Sequence, residues 1–448
     1  MCSNLVEEAA DASAPTIPAS LLSVFQIVRS CFTAPSFLVF CHLAVGMATA
    51  TGRRTVTGML TAANLAGRWS HDRAHQFFSR AAWDPHQLGM TLARAVVAHL
   101  VPEDAHVVVS VDDTLFRRRG KKVHQARWAH DGSGRGKDKT GFGNTWVILA
   151  VIVKLPFLPK PVALPVLWAL WQGKGTASRT QLAIALVTDL ATALPGRTID
   201  LVADAAYHHE DVTTLPGNVT WTFRLQRNAV LTGPTPPRTG RQGRPRKKGD
   251  KLGTPGQIAQ DADDWTTAQV NRYGAVETVE VVQREGQWYG AFKDLPMNAV
   301  IVRDQDTATG YDLALLSTDR TAGAAQLVER YACRWPIEPV FQHGREDLGV
   351  GQAHNRTKRA VERTVPFGLA VYTLTVLWYT LHGYHPADIT DRRANAPWYA
   401  SKSTPALADM LVKLRRTVIT AQVLGNPPGQ PTDTEIQAVT RAWQAASA

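Results

Sequence analysis

The sequence has the pattern of a mixed α/β fold: a helical start, buried strands alternating with helices, and a β-rich interruption before the helices resume. Three observations carry that reading. The apolar, β-branched runs HVVVSVDD, NTWVILAVIV, VALPVLWALW and RTIDLVAD have the length and composition of buried strands. Between the third and fourth lies SRTQLAIALVTDLATAL, an apolar-periodic helix with Ser178 as its N-cap. With 44% hydrophobic and 19% charged residues over 448 positions, the chain is globular, and at roughly 100–200 residues per domain it holds several structural units.

Taken in order, residues 1–105 read as helical. Apolar positions recur at three- and four-residue spacing through Leu21, Leu22, Phe25, Ile27 and Val28, and again from Leu88 to Leu100. Between them RWSHDRAHQFFSRAAW mixes arginine, histidine and aromatics, which suits either a DNA contact or a charged solvent face. Residues 106–225 form the first part of the α/β core. Residues 226–304 read as an insertion: a Pro/Gly/Arg/Lys-rich loop, then alternating strands such as AVETVEVVQ and GQWYGAF. Helices return over 305–385, where Pro336 opens a second segment ending near Gly349, and VERTVPFGLAVYTLTVLWYTLHG is a long apolar core helix. The tail, 386–448, carries the amphipathic LADMLVKLRRTVI and a short helix near Thr434.

Composition narrows the function. Lysine plus arginine number 49 against 38 acids, a net charge of +11, which favours an acidic partner. Cys2, Cys31, Cys41 and Cys333 form no CxxC pair, so neither a disulfide scaffold nor a zinc ribbon is expected. The acidic N-terminus lacks the apolar stretch of a signal peptide. Ser36–Met47 is too short to span a bilayer, and Trp146–Trp171 is broken by prolines and lysines, so no membrane partner is expected and nucleic acid leads. No Walker motif or Gly-rich dinucleotide loop is present, and no nucleotide cofactor or Zn²⁺ is expected.

The chemistry lies in carboxylates. Asp112 and Asp113 end one predicted strand and Asp204 ends another, and ligands bind at such rims in α/β folds. Any one of these could merely cap a loop. Further on, Tyr331, Arg334, Glu338 and Arg345 have offsets of 3, 7 and 14, which on an ideal helix fall within an arc of roughly 60°. That places a carboxylate between two guanidinium groups, an arrangement suited to phosphate beside a metal. Pro336 kinks or restarts the helix within this motif.

YACRWPIEPVFQHGREDLG resembles the tyrosine–arginine–glutamate–lysine signature of bacterial insertion-sequence transposases of the DDE class. LVADAAYHHED is similar to that family's second aspartate motif, and VDDTLFRRRGKK to the first, in a subgroup with an Asp-Asp-Thr motif. The resemblance covers about residues 20–385 in layout. It implies a ribonuclease-H-like, retroviral-integrase-like catalytic core with a β-rich insertion and an N-terminal helical domain that binds transposon ends. It implies that Asp112, Asp204 and Glu338 hold two Mg²⁺ ions, with Mn²⁺ an accepted substitute, and that Tyr331, Arg334 and Arg345 contact the DNA. It further implies strand cleavage and transfer at terminal inverted repeats, target DNA as a second substrate, action as a homodimer, and a bacterial cytoplasmic, nucleoid-associated setting.

Two departures stand out. The family's closing lysine is Arg345 here, which keeps charge and changes geometry. The first aspartate is ambiguous: Asp-x-Thr spacing favours Asp112, and alignment on the Asp-Thr pair favours Asp113. Adjacent strand residues point to opposite faces, so the two are not expected to share metals.

Basic segments frame these acids. Arg117, Arg118, Arg119, Lys121 and Lys122 follow the first motif and suit either DNA phosphates or a solvated loop. Arg244, Arg246, Lys247 and Lys248 lie in GRPRKK, which resembles an AT-hook. His208 and His209 read as a helix start rather than a metal site. Trp288 and Tyr289 suit either base stacking or hairpin packing. The competing functions are a catalytically inactive, transposase-derived DNA-binding protein and, less consistent with the charge, a carboxylate-pair glycosidase.

Overall fold

The computed structural model describes residues 15–132, 134, 139–237, 246–307, 310–424, 431–437 and 439. Five helices come first: α1 (Ala19–Gln26), α2 (Ala34–Thr49), α3 (Val56–Ala62), α4 (His71–Ser79) and α5 (Pro85–Leu100). Thr33, Thr55, Ser70 and Asp84 cap the last four through side-chain oxygens, which fixes where each begins.

The central sheet has ten strands. β1 (Val107–Arg117), β3 (Thr140–Val153) and β4 (Val162–Leu170) form an antiparallel meander. The short β2 (Arg127–His130) shares β3's outer edge with β4. The chain then crosses through α6 (Arg179–Ala193), and β5 (Ile199–Ala203) returns parallel to β1 on its free side. β6 (Val219–Arg224) continues parallel to β5. The proline-rich stretch after Val153 is a turn between β3 and β4, as the sequence indicates. α6 opens on a reciprocal capping box between Ser178 and Gln181.

The β-rich segment extends this sheet. After β7 (Leu231–Thr232), β8 (Lys251–Gly253) and α7 (Pro255–Asp261), the strands β9 (Thr266–Arg272), β10 (Ala275–Gly286), β11 (Met297–Asp304) and β12 (Leu313–Ser317) pair antiparallel in succession. β12 pairs directly with β6 through Leu315–Arg224, Leu316–Phe223 and Ser317–Thr222. GQWYGAF is not the strand its alternation predicts. β10 stops at Gly286, Gln287 bridges to Thr232, and Tyr289–Phe292 makes one helical turn, α8. Trp288 and Phe292, four apart, thereby turn together into the core.

Helices α9 (Ala324–Ala332) and α10 (Ile337–Glu346) lie across the sheet, followed by α11 (Lys358–Trp378), which ends in a π-helical turn over Tyr379–Gly383. Lys358–Gly383 is long and apolar enough to cross a membrane, but 89% of its apolar window is buried inside this protein, where it packs on β4, α5 and α2. α12 (Ala387–Asn395), α13 (Leu407–Leu424) and a helical turn at 433–437 complete the described chain. One hydrophobic core runs from Leu21 to Val418, so the N-terminal helices and α13 share the sheet's own core. A second, smaller core lies between α9 and β9–β12.

Candidate active site

Strand alternation separates the two adjacent aspartates. Ser110, Asp112 and Thr114 face α9 and α10: the Ser110 hydroxyl donates to the Arg334 carbonyl at 3.3 Å, Arg334 Nη1 lies 3.7 Å from Asp112 Oδ2, and Arg345 donates to the Thr114 hydroxyl at 2.8 Å. Asp113 faces the other way, toward α6. It accepts from Arg179 at 2.7 Å and from the buried Tyr207 phenol at 3.0 Å. Both aspartates sit inside β1 rather than at its end, because pairing with β3 continues to Arg117. The parallel pairing with β5 stops at Ser110, however, so Asp112 stands just past the carboxyl-terminal end of β5.

Asp204 follows β5 directly. Its Oδ1 accepts the Ala206 amide at 2.7 Å, a turn that fixes the carboxylate at the rim. Glu338 enters at the second residue of α10, where the helix dipole favours negative charge. Its Oε1 accepts from Arg334 at 2.8 Å, so Arg334 links the Asp112 and Glu338 carboxylates. All four acids line one cleft of about 1870 Å³, with Arg334's neighbours Trp335 and Cys333, and with Arg345, Arg179, Lys154 and Lys160. The Asp112 carboxyl is pushed up to about 7: burial is the main cause, the Asp113 amide offsets it, and repulsion from Asp113 and Asp204 adds to it.

The motif helix is broken, and the break redistributes its residues. Tight turns through Cys333–Pro336 separate α9 from α10. Glu338 and Arg345 line the cleft, and Arg334, just outside that lining, donates to Glu338 at 2.8 Å. Tyr331 instead packs into the second core with Val279, Val300 and Leu327, beneath the cleft. The single arc expected of a continuous helix is therefore not formed: Glu338 and Arg345 share α10, Arg334 lies in the turn before it, and Tyr331 belongs to α9.

The flanking cations divide similarly. Arg118 turns inward, is buried, and donates to the Asn355 carbonyl at 2.7 Å, so it is not placed to meet DNA. Arg117 is tied to the buried Asp131 at 2.7 Å, while Arg119, Lys121 and Lys122 are exposed. None of those five lines the cleft. Arg246 pairs with Asp250 at 3.1 Å, Lys248 lies over the Tyr289 ring, and Lys247 is exposed, all away from the cleft lining; Arg244 lies outside the described residues. Trp288 is buried and stacks on His208, and the His209 side chain caps the short turn after it.

Sequence reasoning missed Arg179. An arginine in the first turn of a helix opposes the helix dipole, and that mismatch was the available signal. It also missed Arg330, whose buried guanidinium pairs with Asp200 at 3.1 Å and Asp319 at 2.9 Å.

As a donor set, Asp112, Asp204 and Glu338 offer hard carboxylate oxygens, and the Asp112 carboxyl, raised mainly by burial and further by repulsion from Asp113 and Asp204, would be eased by a divalent cation. Among the described residues, no three histidine, cysteine, aspartate or glutamate side chains are gathered tightly enough to hold an ion as they stand, since Glu338 is drawn to Arg334. The chemistry of the set suits such an ion, and Glu338, with a side chain 43% exposed and bonded to Arg334, would have to turn to join it.

No curated protein sequence matches the chain. The sequence model of a family described as DDE superfamily endonuclease matches residues 28–287, a span that contains β1 with Asp112 and the Asp204 turn and stops before Glu338. That match takes in more than half of the chain, and it establishes that this protein belongs to the DDE superfamily endonucleases, with Asp112 and Asp204 meeting in one cleft.

Proposed function

We propose that the protein is a DNA transposase of the insertion-sequence type with the tyrosine–arginine–glutamate–lysine signature, cutting and rejoining DNA at transposon ends. The observation that carries this reading is the cleft itself: Asp112, Asp204 and Glu338 open into one space with Arg334 and Arg345 beside them. The strand order supports a ribonuclease-H-like core, with an antiparallel meander, a helix, and a parallel strand returning beside β1.

In this reading Asp112, Asp204 and Glu338 hold Mg²⁺ or Mn²⁺, and Asp112 rather than Asp113 is the first catalytic aspartate because it faces Glu338. The bound metal ions supply an activated water and neutralise charge on the transferring phosphoryl group. The protein's own residues do the rest. Arg345, anchored on Thr114, and Arg334 present guanidinium groups to the scissile phosphate and hold it in line for attack. Arg334 also releases Glu338 as the phosphate takes over its hydrogen bonds. The freed 3′-hydroxyl attacks a second phosphodiester in the same cleft, so cleavage and strand transfer share one geometry. The partners are double-stranded terminal repeats and target DNA, engaged by a homodimer.

The Arg334–Glu338 contact also favours a second reading, a DNA-binding descendant that has lost its chemistry. Labelled end DNA incubated with the protein, with and without Mg²⁺, separates the two. Mg²⁺-dependent nicking at the repeat boundary supports the transposase. Tight binding with no nicking in either Mg²⁺ or Mn²⁺ leaves the binding protein.

A further inference from the structure

At the margin of the cleft, on the α6 side of the sheet, two arginines contact one indole. The Arg179 and Arg127 guanidinium carbons each lie 5.5 Å from the centre of the Trp171 ring. Arg179 lines the cleft and is tied to Asp113. Arg127, at the start of the edge strand β2, lies beyond the cleft lining. The three side chains thus step outward from the carboxylates toward the sheet edge.

The chain is shaped to hold Arg127 there. Gly173 has a φ of +102°, and a Cβ at that position would sit 1.3 Å from Arg127 Nη1. Only glycine leaves room for the guanidinium to lie against the loop beneath Trp171. At its other end Arg127 donates to the side chain of Gln125, a residue with φ of +55°. Among the described residues Arg127 makes no ion pair, in contrast to Arg272, Arg284 or Arg303 elsewhere in the sheet. Its fixed position thus leaves its charge unspent. Lys174, exposed on the same loop, adds a further cation.

We infer that Arg179, Trp171 and Arg127 form a rail for the sugar–phosphate backbone of a nucleic-acid strand leaving the carboxylate cleft along the α6 side. The inference rests on the cleft taking DNA, as proposed above. Guanidinium groups clamp phosphate oxygens, and the indole between them keeps both planes in place through cation–π contact. The spacing along the strand comes from the loop and β2, so the rail reads backbone and not sequence.

The test is DNA binding as a function of salt, with the full chain carrying Asp204→Asn to prevent cutting and a labelled duplex extending beyond the transposon end. Each phosphate contact adds about 1 to the slope of log affinity against log salt concentration. Arg127→Gln should lower that slope by about 1 and weaken binding roughly three- to tenfold at low salt, equally for unrelated sequences. Gly173→Ala, which displaces the guanidinium without removing it, should lose part of the same slope. Circular dichroism and melting temperature of Arg127→Gln should match those of the parent, since the side chain makes no ion pair among the described residues. Unchanged slopes in both variants, in a parent that binds DNA, would overturn the rail alone. A parent that binds no DNA would overturn the rail together with the function it rests on.

Discussion

Asp200 and Asp112 belong to neighbouring strands on the same face of one sheet, yet the fold treats them oppositely. Asp200 is surrounded by partners: the Thr220 hydroxyl donates at 2.7 Å, His106 Nδ1 lies at 3.0 Å, and Arg330 at 3.1 Å, with only 3% of the side chain exposed. Arg330 in turn reaches Asp319, whose carboxyl stays below its usual range because hydrogen bonds from Thr321 and Arg330 outweigh the effect of burial. Asp112 is raised to about 7 chiefly by burial, with two acids as neighbours and only one backbone donor and a single guanidinium at 3.7 Å to offset it. A carboxylate with a full set of internal partners locks β5, β6 and α9 together. One with few of them marks a candidate functional position, and under the proposed function a cation and a phosphate would supply what it lacks.

That contrast can be broken experimentally, and the largest effect expected is on chemistry. Asp204→Ala, in the underpaired cluster, should reduce cleavage of end DNA by about 10³-fold or more while DNA binding and urea unfolding stay close to the parent. Wild-type cleavage by this variant would remove Asp204 from the site. The complementary change, Asp200→Ala, leaves Arg330 buried without one of its acids and should lower the unfolding free energy by about 3–5 kcal/mol, read from urea melts. A loss below about 1 kcal/mol would show that the Asp200 cluster is not the structural lock described.

The two clusters also differ in the sign of their pH dependence. Asp112 has a folded value of about 7 against 3.8 unfolded, so its contribution to stability is full below about pH 4 and is lost as pH rises through about 7. Asp319 works in reverse: its contribution is present above the unfolded value and is lost as pH falls through the folded one. In metal-free buffer, Asp112→Asn should therefore gain about 2 kcal/mol on the parent at pH 8 relative to pH 5. Equal differences at the two pH values would contradict the assigned environment. The smallest effect is expected at Arg345→Lys, which restores the residue of the family signature. Cleavage should stay within about threefold, because the charge beside Thr114 remains and only the forked geometry changes.

Comparison of particular residues shows what the sequence made legible. Ser178 as a cap, the Pro336 restart, the four core strands and the proline-rich turn were readable because each depends on local chemistry. Asp112, Asp204, Glu338 and Arg345 line one cleft, the first two because buried strands carry them to a rim and the last two because their spacing puts them on one helix. Tyr331 escaped that arithmetic because the turn before Pro336 rotates α9 away from α10. Arg118 was misplaced as a surface candidate, and Trp288 was left between stacking and packing, because a polar or aromatic letter says nothing of whether a distant carbonyl or ring awaits it. Arg330 was invisible for the same reason, since its partner Asp200 lies on a strand far off in sequence, while Arg179 offered only the helix-dipole mismatch and not its partner Asp113.

The direct pairing of β12 with β6 has a consequence for how the enzyme comes into being. The sheet edge at β6 stays open until residue 317 has been synthesised and β9–β12 have formed, and only then do α9 and α10 deliver Arg334 and Glu338. Such long-range pairing is slow, since a long loop must close before its contacts form. A nascent chain thus carries its first two aspartates well before the glutamate that completes them. The cleft that Asp112, Asp204 and Glu338 line is therefore assembled only after β12 has closed the sheet onto β6.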